Sequence, residues 1–298
     1  MAHFTHFAKE THHHMDQELD ALTAGYNLAQ WWGEGGDPAT AVAILEEVLP
    51  GMVRALGRDH RQTLTVRHAL AHWRGEAGDP AGAVTAFKKL LADQTRVLGP
   101  DHPDTLTTRN NFADWRGEAG DPAAAAAILE ELLPDCVRVL GPDHPDTLST
   151  RYDLANWRGE AGDPAGAAHA LQELLTDLVR VSGPDHPRTL ATRNTLAKWR
   201  GKAGDPAGAA HALQELLPDM MRALGPDHHG TLATRDNLAY WQGKAENAAG
   251  AATAYEELLA DQIRVLGPDH HGTLTIRNDL AYWQGKAGNA AGAATALE

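Results

Sequence analysis

The sequence predicts an all-α chain that stacks one helical hairpin about seven times. Trp31, Trp73, Trp115, Trp157, Trp199, Trp241 and Trp283 recur every 42 residues, a period that marks a solenoid. Arg67, Arg109, Arg151, Arg193, Arg235 and Arg277 keep the same spacing. The nine residues Leu-Gly-Pro-Asp-His-Pro-Asp-Thr-Leu at 98–106 return unchanged at 140–148.

In chain order, residues 1–15 carry His3, His6, His12, His13 and His14 without a helical or strand period. They read as a flexible, His-rich leader whose imidazoles hold a soft divalent ion at most loosely. The array proper is expected over 16–298. Its first repeat is degenerate, with Gly25 in the arginine column and Trp32 where the next repeat has Arg74, as an N-terminal cap would be.

Residues 104–139 are the type repeat. From Thr105 to Ala119, Leu106, Phe112, Ala113, Trp115 and Ala119 share one arc at 100° per residue, and Thr107, Asn111, Asp114 and Glu118 lie opposite, which predicts an amphipathic helix. Gly120 supplies a left-handed stop, Asp121 an N-cap acceptor and Pro122 a first helical residue that needs no N–H. Asn247 and Asn289 keep the cap where the proline is lost. The second helix then sets Ala125, Leu129, Leu132, Leu133, Val137 and Leu140 at spacings of three and four. Alanine fills the column of Ala125 in every repeat (Ala41, Ala83, Ala167, Ala209, Ala251, Ala293), so the two helices are expected to touch there. Pro50, Pro134 and Pro218 fall late in this helix and predict a kink, not an end. Gly141 to Pro145 closes the repeat and launches the next first helix.

The bulk numbers exclude several functions. A net charge of −14 opposes phosphate backbones, so no nucleic-acid partner is expected. Only Cys136 is available, as a small buried side chain, so there is no intrachain disulfide. No apolar run approaches the roughly 18 residues of a membrane span and no secretory signal is present, so the expected address is cytoplasmic, with no membrane partner. His60, His102, His144, His186, His228 and His270 each follow an aspartate, but equivalent residues of stacked repeats lie on the order of 10 Å apart, too far to share one metal. Each Asp-His reads as a cap and its hydrogen-bonded neighbour; Asp143 with Asp146 offers at most a weak magnesium or calcium site. No phosphate loop, nucleophile elbow or zinc signature occurs. No enzyme activity, no cofactor, no metal site and no catalytic residue are expected.

The run Asn-Phe-Ala-x-Trp-x-x-x-x-Gly-Asp-x-x-x-Ala-x-x-x-Leu from Asn111 to Leu129 resembles the tetratricopeptide repeat. The matching positions are Phe112, Ala113, Gly120, Ala125 and Leu129. The Leu-Gly-Pro-Asp-His-Pro loop and Asn110-Asn111 resemble the longer variety found in kinesin light chains. The resemblance covers residues 16–298 and implies a right-handed α-solenoid of helix-turn-helix repeats that acts as a non-catalytic protein-interaction scaffold. Arg109 and Arg116 stand where shorter members place bulky aromatics, and are expected to stack on tryptophans and pair with Asp135, Asp143 or Glu131 in inter-repeat ladders.

The resemblance also implies that first helices line a concave groove, into which the columns of residues 110, 114 and 118 point. Their i, i+4, i+8 spacing independently puts them on one polar face. Column 114 varies most: Gln30, His72, Asp114, Asn156, Lys198, Tyr240, Tyr282. Column 118 changes sign, from Glu34, Glu76, Glu118 and Glu160 to Lys202, Lys244 and Lys286. Column 110 contributes Asn110, Tyr152, Asn194, Asp236 and Asn278, and Asn237 adjoins it. These residues form the candidate peptide- or protein-binding surface, with tyrosines beside lysines in the C-terminal half suited to an acidic or aromatic-bearing segment. A merely solvated face is the bland counterpart.

A third reading is self-association. The last repeat stops at Glu298, which predicts incomplete cover for Leu280 and Trp283 and implies either head-to-tail docking or a segment of a larger signalling protein.

Overall fold

The computed structural model describes residues 2–296, with side chains from residue 17 onward. Every regular element among them is a helix, and the helices pair in chain order. They fall into two units, residues up to 157 and residues from 158. The first unit contains α1 (Ala2–Glu34), α2 (Pro38–Leu56), α3 (Arg61–Glu76), α4 (Pro80–Val97), α5 (Pro103–Glu118), α6 (Pro122–Val139) and most of α7 (Pro145–Glu160). The second holds the end of α7 and then α8 (Pro164–Ser182), α9 (Pro187–Lys202), α10 (Pro206–Leu224), α11 (His229–Lys244), α12 (Ala248–Leu266), α13 (His271–Lys286) and α14 (Ala290–Ala296). These are about seven helical hairpins of the α-solenoid class.

α1 begins at Ala2, so the backbone is helical through the stretch expected to be a leader. No glycine or proline occurs before Gly25 to stop it. The side chains of His3, His6, His12, His13 and His14 lie outside the described residues.

The punctuation works as its chemistry demands. Gly120 sits at φ +95°, its N–H donates to Gly117 O and the Asp121 N–H reaches back to Arg116 O, closing α5. Asp121 Oδ1 then accepts from the Ala124 N–H at 3.1 Å and caps α6. Asn247 and Asn289 do the same through the N–H groups of Gly250 and Gly292, each at 2.9 Å. At the other loop the histidine is itself the cap: His102 Nδ1 accepts from the Asp104 N–H at 3.1 Å, and His228 and His270 repeat this. α2, α6 and α10 run on through Pro50, Pro134 and Pro218.

Within each hairpin the alanine column is fully buried at Ala41, Ala83, Ala125, Ala167, Ala209 and Ala251. Leu129 and Leu132 are buried with it. Val137 is 41% exposed and Cys136 takes the core position beside it, so the apolar stripe of α6 turns one residue earlier than its sequence suggested. A threonine pair also buries where no apolar pattern pointed. Thr231 Oγ1 donates to Gly225 O across the loop at 2.7 Å, and Thr234 Oγ1 to Gly230 O one turn back at 2.9 Å, which satisfies both hydroxyls away from water.

The column of Arg109 pairs inside hairpins, whereas in the column of Arg116 the expected inter-repeat pairing occurs at Arg74, which meets Glu46 of the preceding repeat at 2.6 Å. Arg109 Nη1 meets Asp135 at 2.8 Å, tying α5 to α6, and Arg235 meets Asp261 at 2.6 Å, tying α11 to α12. Arg116 turns to the cap Asp121 at 2.6 Å. Loop aspartates that precede capping histidines receive another arginine: Asp101 takes Arg138 and Asp227 takes Arg264, both at 2.6 Å. Bonds from Arg109 and Arg138 hold the Asp135 carboxyl below the usual carboxylate range.

Candidate functional site

Between repeats, indole meets glycine. Each tryptophan ring lies on the glycine two residues after the preceding repeat's tryptophan: Trp73 on Gly33, Trp115 on Gly75 and Trp157 on Gly117 in the first unit, and Trp199 on Gly159, Trp241 on Gly201 and Trp283 on Gly243 in the second. A Cβ at any of these glycines would land inside the ring. The glycine is therefore a notch for the next repeat's indole, and the ring buries there: Trp199 is fully buried and Trp241 and Trp283 nearly so. Trp31 has no described glycine notch beneath it and is 65% exposed.

The candidate binding columns lie beside this lock, which changes what they do. Column 114 covers the edge of the next indole. Gln30 Oε1 accepts from Trp73 Nε1 at 2.6 Å, Asp114 Oδ1 from Trp157 Nε1 at 2.9 Å, and the rings of His72 and Tyr240 stand edge-on to Trp115 and Trp283. Asp114 is thus not on a freely solvated face. Its other oxygen accepts from Asn110 Nδ2 at 3.2 Å, and the same amide group donates to Asp153 at 2.9 Å. Desolvation, and then the Asp153 charge, push the Asp114 carboxyl up to about 7.

Column 110 is likewise turned inward. The Asn110 carbonyl accepts from Thr150 Oγ1 at 2.9 Å, Asn194 accepts from Asn237 at 3.3 Å, and Asp236 accepts from Tyr255 Oη at 2.9 Å. Tyr152 is half-buried, as is Asn156 of column 114, and only Asn278 of column 110's candidates is exposed. Column 118 remains outside: Glu118, Glu160, Lys202, Lys244 and Lys286 are exposed. The stripe expected from i, i+4, i+8 spacing therefore divides into an outer row and two rows largely engaged with neighbouring side chains, Asn278 and Tyr282 excepted.

The outer row differs between the units. In the first, α3 and α5 enclose a cleft of about 440 Å³ lined by His72, Gly75, Glu76, Asn111, Asp114, Trp115 and Glu118. His68 lies beneath it, accepting from Asn111 Nδ2 at 2.8 Å, and burial lowers its pKa to about 4, so it stays neutral. In the second unit, Lys198 meets Glu160 at 2.9 Å and Lys202 meets it at 3.4 Å, and both ammonium groups sit over the Trp199 ring at 4.6 and 4.5 Å. Farther along, Lys244 lies over Tyr240 and Lys286 over Tyr282, at 5.4 and 5.6 Å. Tyr240 is 37% and Tyr282 50% exposed. Neither of these two lysines meets a carboxylate among the described residues.

Reasoning from the sequence put His72 and Glu76 in the groove-facing columns but missed Trp115 as a wall of a cleft. The signal was the Trp-x-Gly spacing, in which the glycine serves packing and not a turn. Leu280 and Trp283, expected to lack cover, are each 4% exposed, whereas Leu274 is 43% exposed. Among the described residues no group of three or more His, Cys, Asp or Glu side chains is placed to hold a metal ion, and no helix is long and apolar enough to cross a membrane.

Comparison with known proteins agrees with this architecture. The chain has no match among curated proteins. Among solved structures, a Podosopora anserina protein of nearly identical TPR-like repeats, named for kinesin light chain, is 23% identical over 70% of this chain and 98% of its own, with a TM-score of 0.59. BtubC from P. vanneervenii is 17% identical over 78% and 88%, at 0.57. A Rap protein complexed with Competence and Sporulation Factor is 10% identical over 91% and 71%, at 0.66. At these identities the likeness concerns the fold. Two models described as tetratricopeptide repeat match residues 81–136 and residues 22–62, 147–188 and 231–272. With its 42-residue helical hairpins, its notched glycines and these matches, the chain belongs to the tetratricopeptide repeat family.

Proposed function

We propose that the chain is a non-catalytic scaffold that holds an extended segment of a protein partner against its first-helix faces. Tetratricopeptide repeats typically mediate protein–protein interaction, and the Rap protein solved with a bound factor is a precedent for this fold. One observation carries the reading: Tyr240 and Tyr282 stay exposed with ammonium groups over their rings, and those ammonium groups form no ion pair among the described residues. A face that only had to be wet would not expose tyrosine, a residue that interfaces favour. The second unit thereby suits a segment bearing acidic and aromatic side chains.

The test is affinity capture from lysate with the wild-type chain and with a Tyr240→Ala, Lys244→Glu, Tyr282→Ala variant. A protein retained only by the wild type supports the face; identical capture by both removes it. Trp31, bare where every later tryptophan of its 42-residue column is notched, favours self-association as a second reading. Sedimentation that depends on concentration and loses that dependence in Trp31→Ser would support it.

A further inference from the structure

We propose that the cleft between α3 and α5 receives a cationic side chain from a basic segment of a partner. This deepens the scaffold reading and rests on it, but concerns a different unit and the opposite charge.

The chain itself shows what such a space holds. Eighty-four residues on, the positions of Glu76, Asp114, Trp115 and Glu118 are occupied by Glu160, Lys198, Trp199 and Lys202. There both ammonium groups lie over the indole while bonding the glutamate of the preceding repeat. The cation is supplied from within. In the first unit those two lysines are replaced by Asp114 and Glu118, so the indole and the Glu76 carboxylate remain while the cations are lost and two acids take their place. Neither Glu76 nor Glu118 meets a cation among the described residues. The space is about 440 Å³, room for a side chain and more than a bare ion would fill. A guanidinium or ammonium entering it would find an aromatic face and carboxylates together, the pairing that binds cations best when partly desolvated.

Asp114 couples the cleft to pH. Its carboxyl, pushed up to about 7, faces Asn110 and Glu118 on α5, His72 and Glu76 on α3, and Asp153 and Trp157 on α7. Ionised Asp114 favours a nearby cation, so affinity rises as pH increases through 7.

The experiment is fluorescence anisotropy with a labelled Gly-Ser peptide carrying three arginines, alongside the same peptide carrying three glutamates. Wild type should prefer the arginine peptide. Glu76→Gln with Glu118→Gln should weaken it at least tenfold, and Glu118→Lys, which restores an internal cation, should do the same. Glu47→Gln with Glu131→Gln changes net charge equally at exposed positions outside the cleft and should leave binding unchanged. The proposal is overturned if the cleft variants bind like wild type, if the control pair loses as much, or if the glutamate peptide binds wild type equally well. A Glu- and Tyr-bearing peptide titrated in parallel reports on the second unit, so failure at the cleft is distinguishable from failure of the scaffold reading.

Discussion

The two units use one lock and dress it oppositely. In each, an indole seats on the preceding repeat's glycine and a column 114 side chain covers its edge. The first unit covers it with Gln30, His72 and Asp114, the second with Tyr240. An amide, an imidazole, a carboxyl and a phenol all serve, because the indole needs only a neighbour that fits its edge and, where its N–H is buried, an acceptor. The scaffold therefore leaves this column and the outer row free to vary in charge. Structural demand on the lock and chemical freedom beside it explain why the most variable column is also in contact with the most repeated one.

The sharpest break of this comparison is at the rings themselves. Trp199→Ala, which empties a fully buried site, should cost about 3–5 kcal/mol, whereas Trp31→Ala, at 65% exposure, should change stability by less than about 0.5 kcal/mol. Chemical denaturation of both variants checks this; similar losses would mean the lock does not carry the stability.

Asp114 offers the next effect. Its folded-state pKa lies above the unfolded carboxylate value, so between pH 4 and 7 the folded chain binds the extra proton and ionisation destabilises it. The stability of wild type relative to Asp114→Asn should rise as pH falls from about 7 to about 4, by on the order of a few kcal/mol. Melting curves of the pair across that range measure it. A flat difference would show that Asp114 is well solvated.

Smaller still, Gly201→Ala puts a Cβ 2.6 Å from the Trp241 ring and should destabilise by about 1–3 kcal/mol through overpacking. Gly285→Ala meets nothing within 4 Å and should gain about 0.5–1 kcal/mol from helix propensity alone. Opposite signs at two positions of one column would isolate the notch from the helix.

Local chemistry was legible in the sequence. The hairpin period, Asp121 and Asn247 as caps, Gly120 as a stop and the alanine column all act within a few residues or within one hairpin, where helical geometry relates spacing to contact. What escaped depends on a neighbour 40 or more residues away. A helical wheel puts Asp114 on the polar face of α5, and it cannot show that Trp157 arrives there from the next repeat. The same limit hid Gly117, which reads as a weak helix residue until the ring that needs its missing Cβ is in place. The arginine pairs were legible only in part, because charge alone does not say which helix answers: Arg74 reaches Glu46 of the preceding repeat, and Arg109 stays within its own hairpin. The sign change along column 118 was read directly, and the structure adds that Glu160 is already neutralised by Lys198 and Lys202, while Glu76 and Glu118 are not.

The central claim is that the outer rows of the two units select segments of opposite charge on one scaffold. It is tested most directly by titrating a Glu- and Tyr-bearing peptide and an arginine-bearing peptide into wild type and into Lys244→Glu with Lys286→Glu. The account predicts that the double variant loses the acidic peptide by at least tenfold and keeps the basic one at wild-type affinity in the first unit's cleft. Loss of neither peptide, or equal change in both, would contradict it.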